Sequence, residues 1–328
     1  MQKLILFLLL SNGSFFFSQK TFVPDDHFEQ FLIDQSFDDV LDDSVLTSNI
    51  NGLTHLSVVN QFISDLTGIE AFVSLQHLNF NTNYIETLDL SANTSLLELI
   101  ATGNELENIS FGQNSPLKSI FLQGNNLSEL DVSHLAKLEL LECSVNLLET
   151  LDVSQNPSLE HLSCRFNALT ELNLTQNPML EILGCDNNQL EYLNLSSNPF
   201  LYRLWCRSNP IQCLNMANGN NHNFIDFATW NTPELTCIKV DTPNWSPLDL
   251  LITNPDANII IDTQNFFSVE CGIDCSETSN LTELNSNQPK ELIKIVNLLG
   301  QEVEYTPNTV LIYQYSDGTS EKVFTIED

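Results

Sequence analysis

The apolar positions of the chain follow neither the 3.6-residue period of a helix nor simple alternation, but a much longer interval. Leu75, Leu96, Leu117, Leu138, Leu159, Leu180 and Leu201 are spaced by 21 residues without a slip, and Leu53 precedes the series by 22. Three residues after each comes a second apolar column, Leu78, Leu99, Ile120, Leu141, Leu162, Leu183 and Leu204. Eight residues after each comes an asparagine: Asn83, Asn104, Asn125, Asn146, Asn167, Asn188 and Asn209. Each unit reads LxxLxCxxNxL followed by xLDLSxNP. One such unit cannot bury its own apolar face. Coils stacked about 4.8 Å apart can, because their leucine columns form one shared core and their strand edges pair in parallel. The repeated asparagine offers a side-chain amide to backbone groups at every turn, so the column predicts a hydrogen-bonded ladder. Twenty-one residues leave little room for a helix on the outer side, and Pro157, Pro178 and Pro199 reinforce this. Extended segments and turns are predicted there.

This in-frame signature resembles the leucine-rich repeat family, in particular the short repeats of secreted bacterial internalin-like proteins, over residues 53–218. The resulting fold class is mainly β: a leucine-rich repeat solenoid of 21-residue repeats with a concave parallel sheet, a helical N-terminal cap and a small C-terminal β module.

A solenoid end exposes its leucine columns, so terminal segments must turn a polar face outward. Residues 19–52 fit an N-terminal cap, with Phe28, Phe31 and Leu32 on one helical face and Asp25 or Asp26 placed to cap the helix. Asp38, Asp39, Asp42 and Asp43 lack the alternating spacing of a calcium loop and read as a solvated acidic surface. Residues 219–275 break the period while keeping Phe224, Phe227, Trp230, Ile238, Trp245 and Ile259, which predicts a C-terminal cap.

The ends carry addresses. Lys3, the apolar run Leu4 to Leu10 and the polar Ser18-Gln19 have the layout of a secretory signal peptide over residues 1–18. A polar linker, 276–287, separates the cap from residues 288–328, where alternating runs flank an Asp317-Gly318 turn and predict a hairpin. The stretch KELIKIVNLLGQEV followed by LIYQYSDGTSEKVFTIE resembles the C-terminal sorting domain of type IX secretion. That resemblance implies export across the outer membrane of a Gram-negative bacterium and the type IX machinery as a partner.

Composition sharpens the picture. There are 11 Lys+Arg against 43 Asp+Glu, a formal charge of −32, which argues against nucleic acid or an anionic membrane as the main partner. No apolar run approaches the roughly 20 residues of a membrane-spanning helix. The 38 asparagines beside 11 glycines are what a repeat reusing one asparagine produces. Of eight cysteines, Cys143, Cys164, Cys185 and Cys206 occupy the inward column that holds Phe80, Ala101 and Leu122 in earlier repeats. A column with steps of about 4.8 Å spreads four sulfurs over roughly 14 Å, too far to share a zinc, and exceeds the roughly 3.8 Å between Cβ atoms that a disulfide prefers. Packed free thiols are expected. Cys213, Cys237, Cys271 and Cys275 allow three pairings. The resemblance of NxxLTCIKVD and FFSVEC to the ends of secreted bacterial repeat proteins implies a bridge from Cys237 to Cys271 and leaves Cys213 and Cys275 unassigned.

Positions three, five and seven of the signature point outward from the sheet. All three arginines of the chain, Arg165, Arg203 and Arg207, fall on that face with His161, Phe166 and Trp205. Arginine and tryptophan are enriched at binding hot spots, which makes this the candidate ligand surface. Asp186 lies in the column of Arg165 and Arg207, one repeat from each, so an Arg–Asp–Arg ladder that neutralises itself competes with that reading. Phe121, Ile100 and Leu140 add apolar character. The six histidines are scattered, with His77 and His161 four repeats apart, and neither GxSxG nor HExxH occurs. No catalytic residue, metal or cofactor is expected. The sequence thus reads as a secreted or surface-displayed monomer that recognises a protein or glycan. The alternatives are a structural surface-layer protein and, further off, a hydrolase with its site in 219–275.

Overall fold

The computed structural model describes residues 19–113, 115–242, 258–271, 275, 292–296, 303, 310–315 and 320–324. The predicted leader (1–18), the linker (276–287), Trp245 and the Asp317-Gly318 turn lie outside them. The chain divides into two units, 1–269 and 270–328.

The first unit is the mainly β solenoid that the repeat demands. Ten three-residue strands form one parallel sheet in sequence order: His55–Ser57, His77–Asn79, Glu98–Ile100, Ser119–Phe121, Leu140–Glu142, His161–Ser163, Ile182–Gly184, Arg203–Trp205, Asp226–Ala228 and Asn258–Ile260. Register follows the period, with Leu141, Leu162, Leu183 and Leu204 directly paired across neighbouring rungs. Both leucine columns are buried, and Phe80, Ala101, Leu122 and the four ladder cysteines fill the inward column at 0 % exposure. The opposite side carries short strands and turns. Thr87–Leu90 pairs with Asn108–Phe111 in parallel, and Tyr192–Asn194, Cys213–Asn215, Cys237–Lys239 and Phe266–Ser268 form a second parallel sheet.

The ladder does not stop at residue 218. Phe227 and Ile259 continue the leucine column, paired to Leu204 and to each other. Here the spacing lengthens to 23 and then 32 residues, which hides two further rungs from a 21-residue frame while apolar burial keeps them in register.

The asparagine ladder is built as expected. Asn188 donates from Nδ2 to the carbonyls of Cys164 and Cys185, both at 3.0 Å, and its Oδ1 accepts from Leu169 N at 3.0 Å. The same three-way bond recurs at Asn125, Asn146 and Asn209. A second asparagine column, Asn93, Asn156, Asn177 and Asn198, ties the outer turns through its Nδ2 donors alone, its buried Oδ1 atoms accepting no hydrogen bond among the described residues. Asn177, for example, donates to Val153 O and Asn156 O.

At the N-terminal end, a helix Asp26–Asp34 starts at Asp25, whose Oδ1 accepts from His27 N and Phe28 N, both at 3.0 Å. Phe28 and Leu32 are buried, and Phe28 stacks on Phe72 of the adjoining coil. Asp25 Oδ2 reaches into that coil too, accepting from Ser64 N, Ser64 Oγ and Asp65 N. Burial alone would raise the Asp25 pKa, but these hydrogen bonds to the ionised form hold it below the ordinary aspartate value. Asp25→Asn is therefore expected to lower stability by about 1–2 kcal/mol at neutral pH. A carboxylate depressed on folding stabilises above its unfolded pKa and loses that contribution as pH falls through the folded value. The gap between wild type and variant in urea titrations should accordingly shrink below about pH 4.

Glu29, wholly buried, accepts from the backbone N–H groups of Asp42, Asp43 and Ser44. Its oxygens lie near those of Asp38 and Asp42, but Asp42 is already paired with Lys20 at 2.7 Å. The acidic segment thus serves as a loop clamp.

In the second unit, Leu292–Val296, Val310–Tyr315 and Ser320–Phe324 form an antiparallel sheet with Val310–Tyr315 at its centre. No helix among the described residues is long and apolar enough to cross a membrane.

Candidate functional site

The site is assembled by strand register. Because each rung offers three outward positions, residues 21 apart become lateral neighbours on the concave sheet. His161 lies between Leu140 and Ile182, followed by Arg203, while Ser163 is flanked by Glu142 and Gly184, with Trp205 next. The sequence-predicted residues His161 and Arg165 on one rung, and Arg203, Trp205 and Arg207 on another, come together on either side of the Ile182–Gly184 rung.

The charges resolve unequally. Asp186, 1 % exposed, accepts from Arg207 N at 2.8 Å, Nε at 3.1 Å and Nη2 at 3.1 Å, and its Oδ2 lies 3.4 Å from Arg165 Nε. The Arg–Asp–Arg ladder therefore exists, and the hydrogen bonds to Asp186 raise the Arg207 pKa above the usual arginine value. Arg203 differs in having no carboxylate within ion-pair distance among the described residues, although Asp226 is its register partner on the next rung; its buried Nε, like that of Arg165, has no hydrogen-bond partner. Its guanidinium lies 5.7 Å from the Tyr202 ring centre.

Arg165 also extends across a rung to the Trp205 ring, with Cζ 4.5 Å from the ring centre, a cation–π arrangement. Gly184 makes this possible. A Cβ there would run into the Arg165 guanidinium, meeting Nη2 at 2.9 Å and Cζ at 3.0 Å. Sequence reasoning passed over Gly184 because a glycine in a strand position reads as a weak point. The signal lay in its neighbours, a long cation one rung before and an indole one rung after.

Beside this pair the sheet dips into a concavity of about 230 Å³. Phe121, Leu140 and Ile182 supply apolar walls, and Glu142, His161 and Ser163 supply polar groups. Ser163 and Ser144 hydroxyls are bonded at 2.9 Å, and Arg165 N donates to Ser144 Oγ at 3.2 Å. The volume and lining suit one large side chain or one sugar ring, held by an aromatic face and a few hydrogen bonds.

Phe166 sits one residue past the outward arginine, at the rim, and is 54 % exposed with φ +53°.

The histidines are less scattered than the sequence suggests. The 22-residue step from Leu53 to Leu75 places His55 and His77 in one column, where their rings stack at 4.4 Å, and His77 Nδ1 lies 3.1 Å from Glu98 Oε2. Near-parallel rings cannot aim both lone pairs at one ion, so the arrangement does not form a metal centre.

The inward cysteines are free and buried. Burial pushes the Cys164 thiol up to about 12 and raises Cys143, Cys185 and Cys206 well above the usual range, so these are packing groups with no thiolate chemistry near neutrality. Outside the ladder, Cys213, Cys237, Cys271 and Cys275 are each disulfide-bonded.

Compared with known proteins, the chain matches no family model and no curated sequence. Its fold is shared with many solved structures. The functional domain of InlJ from Listeria monocytogenes, described as including a cysteine ladder, superposes with a TM-score of 0.60 at 27 % identity, covering 76 % of this chain. This chain spans 61 % of that one. Internalin C2 of Listeria monocytogenes superposes with a TM-score of 0.53 at 20 % identity, over 68 % of this chain and 98 % of its own. The solenoid is thus a leucine-rich repeat fold of internalin type.

Proposed function

We propose that this chain is an exported recognition protein that binds a protein or glycan through the concave face of its ten-strand sheet. The observation that carries this reading is the concavity between Phe121 and Trp205 together with Arg203, which has no carboxylate within ion-pair distance among the described residues. A cation with a desolvated, unbonded Nε is poorly used by the fold and well placed for a ligand acceptor. The internalin-type fold and the disulfide-bonded cysteines agree with an extracellular setting. Export would begin with the leader at 1–18 and end with residues 288–328 acting as a type IX sorting domain on the outer surface of a Gram-negative cell. The antiparallel three-strand sheet supports that last step only in architecture.

The competing reading, a structural surface protein, draws on the self-neutralised Arg165–Asp186–Arg207 ladder. The two separate on Arg203→Glu and Trp205→Ala, measured by binding of the labelled chain to arrays of glycans and of purified surface proteins. Recognition requires a loss of at least about tenfold in affinity for whatever the wild type retains, the scale of one hot-spot residue. Unchanged binding by both variants would leave the structural reading standing.

A further inference from the structure

One position holds a left-handed backbone in nine successive rungs, the place before the ladder asparagine in seven of them and before Gln61 and Thr232 in the first and last: Asn60, Thr82, Gly103, Gly124, Val145, Phe166, Asn187, Ser208 and Asn231, with φ between +53° and +69°. Seven of the nine are Gly, Asn, Ser or Thr. Glycine and asparagine suit this conformation, which a β-branched or bulky side chain rarely adopts. Thr82 shares the β-branch but is polar; the two apolar side chains held in this conformation stand on adjacent rungs, Val145 and Phe166.

Folding gives no reason for them. Their backbone N–H groups make the same ladder bonds as the other rungs, to Arg165 O and Asp186 O, and any residue could supply those. Their side chains are 46 % and 54 % exposed, and Leu147, on the other side of Asn146, is 60 % exposed. The remaining bulky apolar residue with positive φ, Phe62, has an internal use, since its ring lies between those of His27 and Tyr84. Phe166 has no ring contact among the described residues. Strain retained at an exposed position marks function, because nothing in the fold rewards it. The strained, exposed apolar ridge also stands at the end of the same rungs that form the concavity.

Charge identifies what would cover it. At the opposite end of these strands, the column preceding them reads Glu139, Glu160 and Glu181. Lys118 answers Glu139 at 2.7 Å, while Glu160 and Glu181 have no cation within ion-pair distance among the described residues. A ligand lying along these rungs meets apolar side chains at one end and unanswered carboxylates at the other, on a chain carrying −32. Deepening the recognition reading, on which this rests, we infer that the partner is a protein segment that seats a large apolar side chain against Val145, Leu147 and Phe166 and directs Lys or Arg toward Glu160 and Glu181.

The test is selection of a displayed random-peptide library on the full-length chain. Enriched peptides should carry an aromatic or leucine anchor with basic neighbours. Their affinity should fall at least tenfold on V145N/F166N, and severalfold on E160Q/E181Q at low salt with the difference reduced at 0.5 M. V145N/F166N should melt no lower than wild type, and about 2–4 °C higher where the backbone strain dominates. V145G/F166G, which also restores residues that other rungs use, should lose the same binding and guards against a fault peculiar to asparagine. Peptides that bind both ridge variants as tightly as wild type but fail on R203E would overturn the ridge while sparing the concave-face reading. Peptides indifferent to ridge and R203E alike would overturn both. Enrichment of acidic or anchorless peptides would overturn the assigned partner, as would a ridge-dependent glycan ligand.

Discussion

Asn188→Ala is expected to lower the unfolding free energy by about 3–4 kcal/mol. The side chain is 7 % exposed and closes three hydrogen bonds that tie two neighbouring coils: to Cys164 O, to Cys185 O and from Leu169 N. A typical internal hydrogen bond nets only about 1 kcal/mol, but a buried backbone group left without a partner costs about 1–3 kcal/mol, and alanine leaves such groups with no water to replace the amide. Asn188→Asp should fare worse, because it keeps the acceptor, removes both donors and introduces a buried charge. Asn126→Ala makes the internal control. It neighbours the ladder residue Asn125 in sequence, yet its side chain is exposed and its backbone bond to Leu106 survives the change. That variant should stay within about 0.5 kcal/mol of wild type. Urea unfolding of the three variants checks the order. Hydrogen exchange should show lost protection at the Leu169 amide and its neighbours, because coupling in a solenoid runs between nearest coils.

The asparagine ladder was readable from sequence because a strict period turns one residue's environment into a column. Seven copies of Asn in frame have few physical explanations, and a side chain with both donor and acceptor at every turn is the simplest. The inward cysteines were readable for the same reason, since they inherit the place of Phe80, Ala101 and Leu122. Where the frame slips, legibility fails. Phe227 and Ile259 sit on rungs of the same sheet, but insertions lengthen their coils, and a 21-residue ruler takes them for a cap. The site was half legible. Column arithmetic gathers Arg165, Asp186 and Arg207, but it cannot say that Arg165 also lies over Trp205, because that depends on the missing side chain of Gly184. Nor does apolar patterning single out Val145. A valine beside the asparagine looks unremarkable until φ is known, although the Gly, Asn and Ser of neighbouring rungs already implied a left-handed position.

The second large effect is expected at Asp186, where the structural and recognition roles of the sheet meet. Asp186→Ala should cost about 2–3 kcal/mol. Removing one member of a fully buried ion pair costs about 3–5 kcal/mol, and the figure is reduced here because the Arg165 and Arg207 side chains are about a third exposed, at 30 % and 36 %, and retain water. Three donors of Arg207, including its backbone N–H, lose their acceptor, and two guanidinium groups are left sharing one column with nothing between them. Asp186→Asn separates the two contributions. It can still accept from Arg207 N, so the difference between the asparagine and alanine variants reads the backbone bond, while that between asparagine and wild type reads the charge. Because Asp186 itself is buried, the wild-type advantage should persist in 0.5 M salt, unlike that of an exposed pair such as Lys118–Glu139. Arg207→Lys should recover only part of the loss, since an ammonium cannot span both carboxylate oxygens from Nε and Nη2. If Asp186 serves only to balance charge, the double change Arg165→Gln/Arg207→Gln should relieve Asp186→Ala almost fully. A residual deficit in the triple variant would identify the Arg207 N–H to Asp186 bond as the fold's own requirement, with Arg165 left free to hold the Trp205 face.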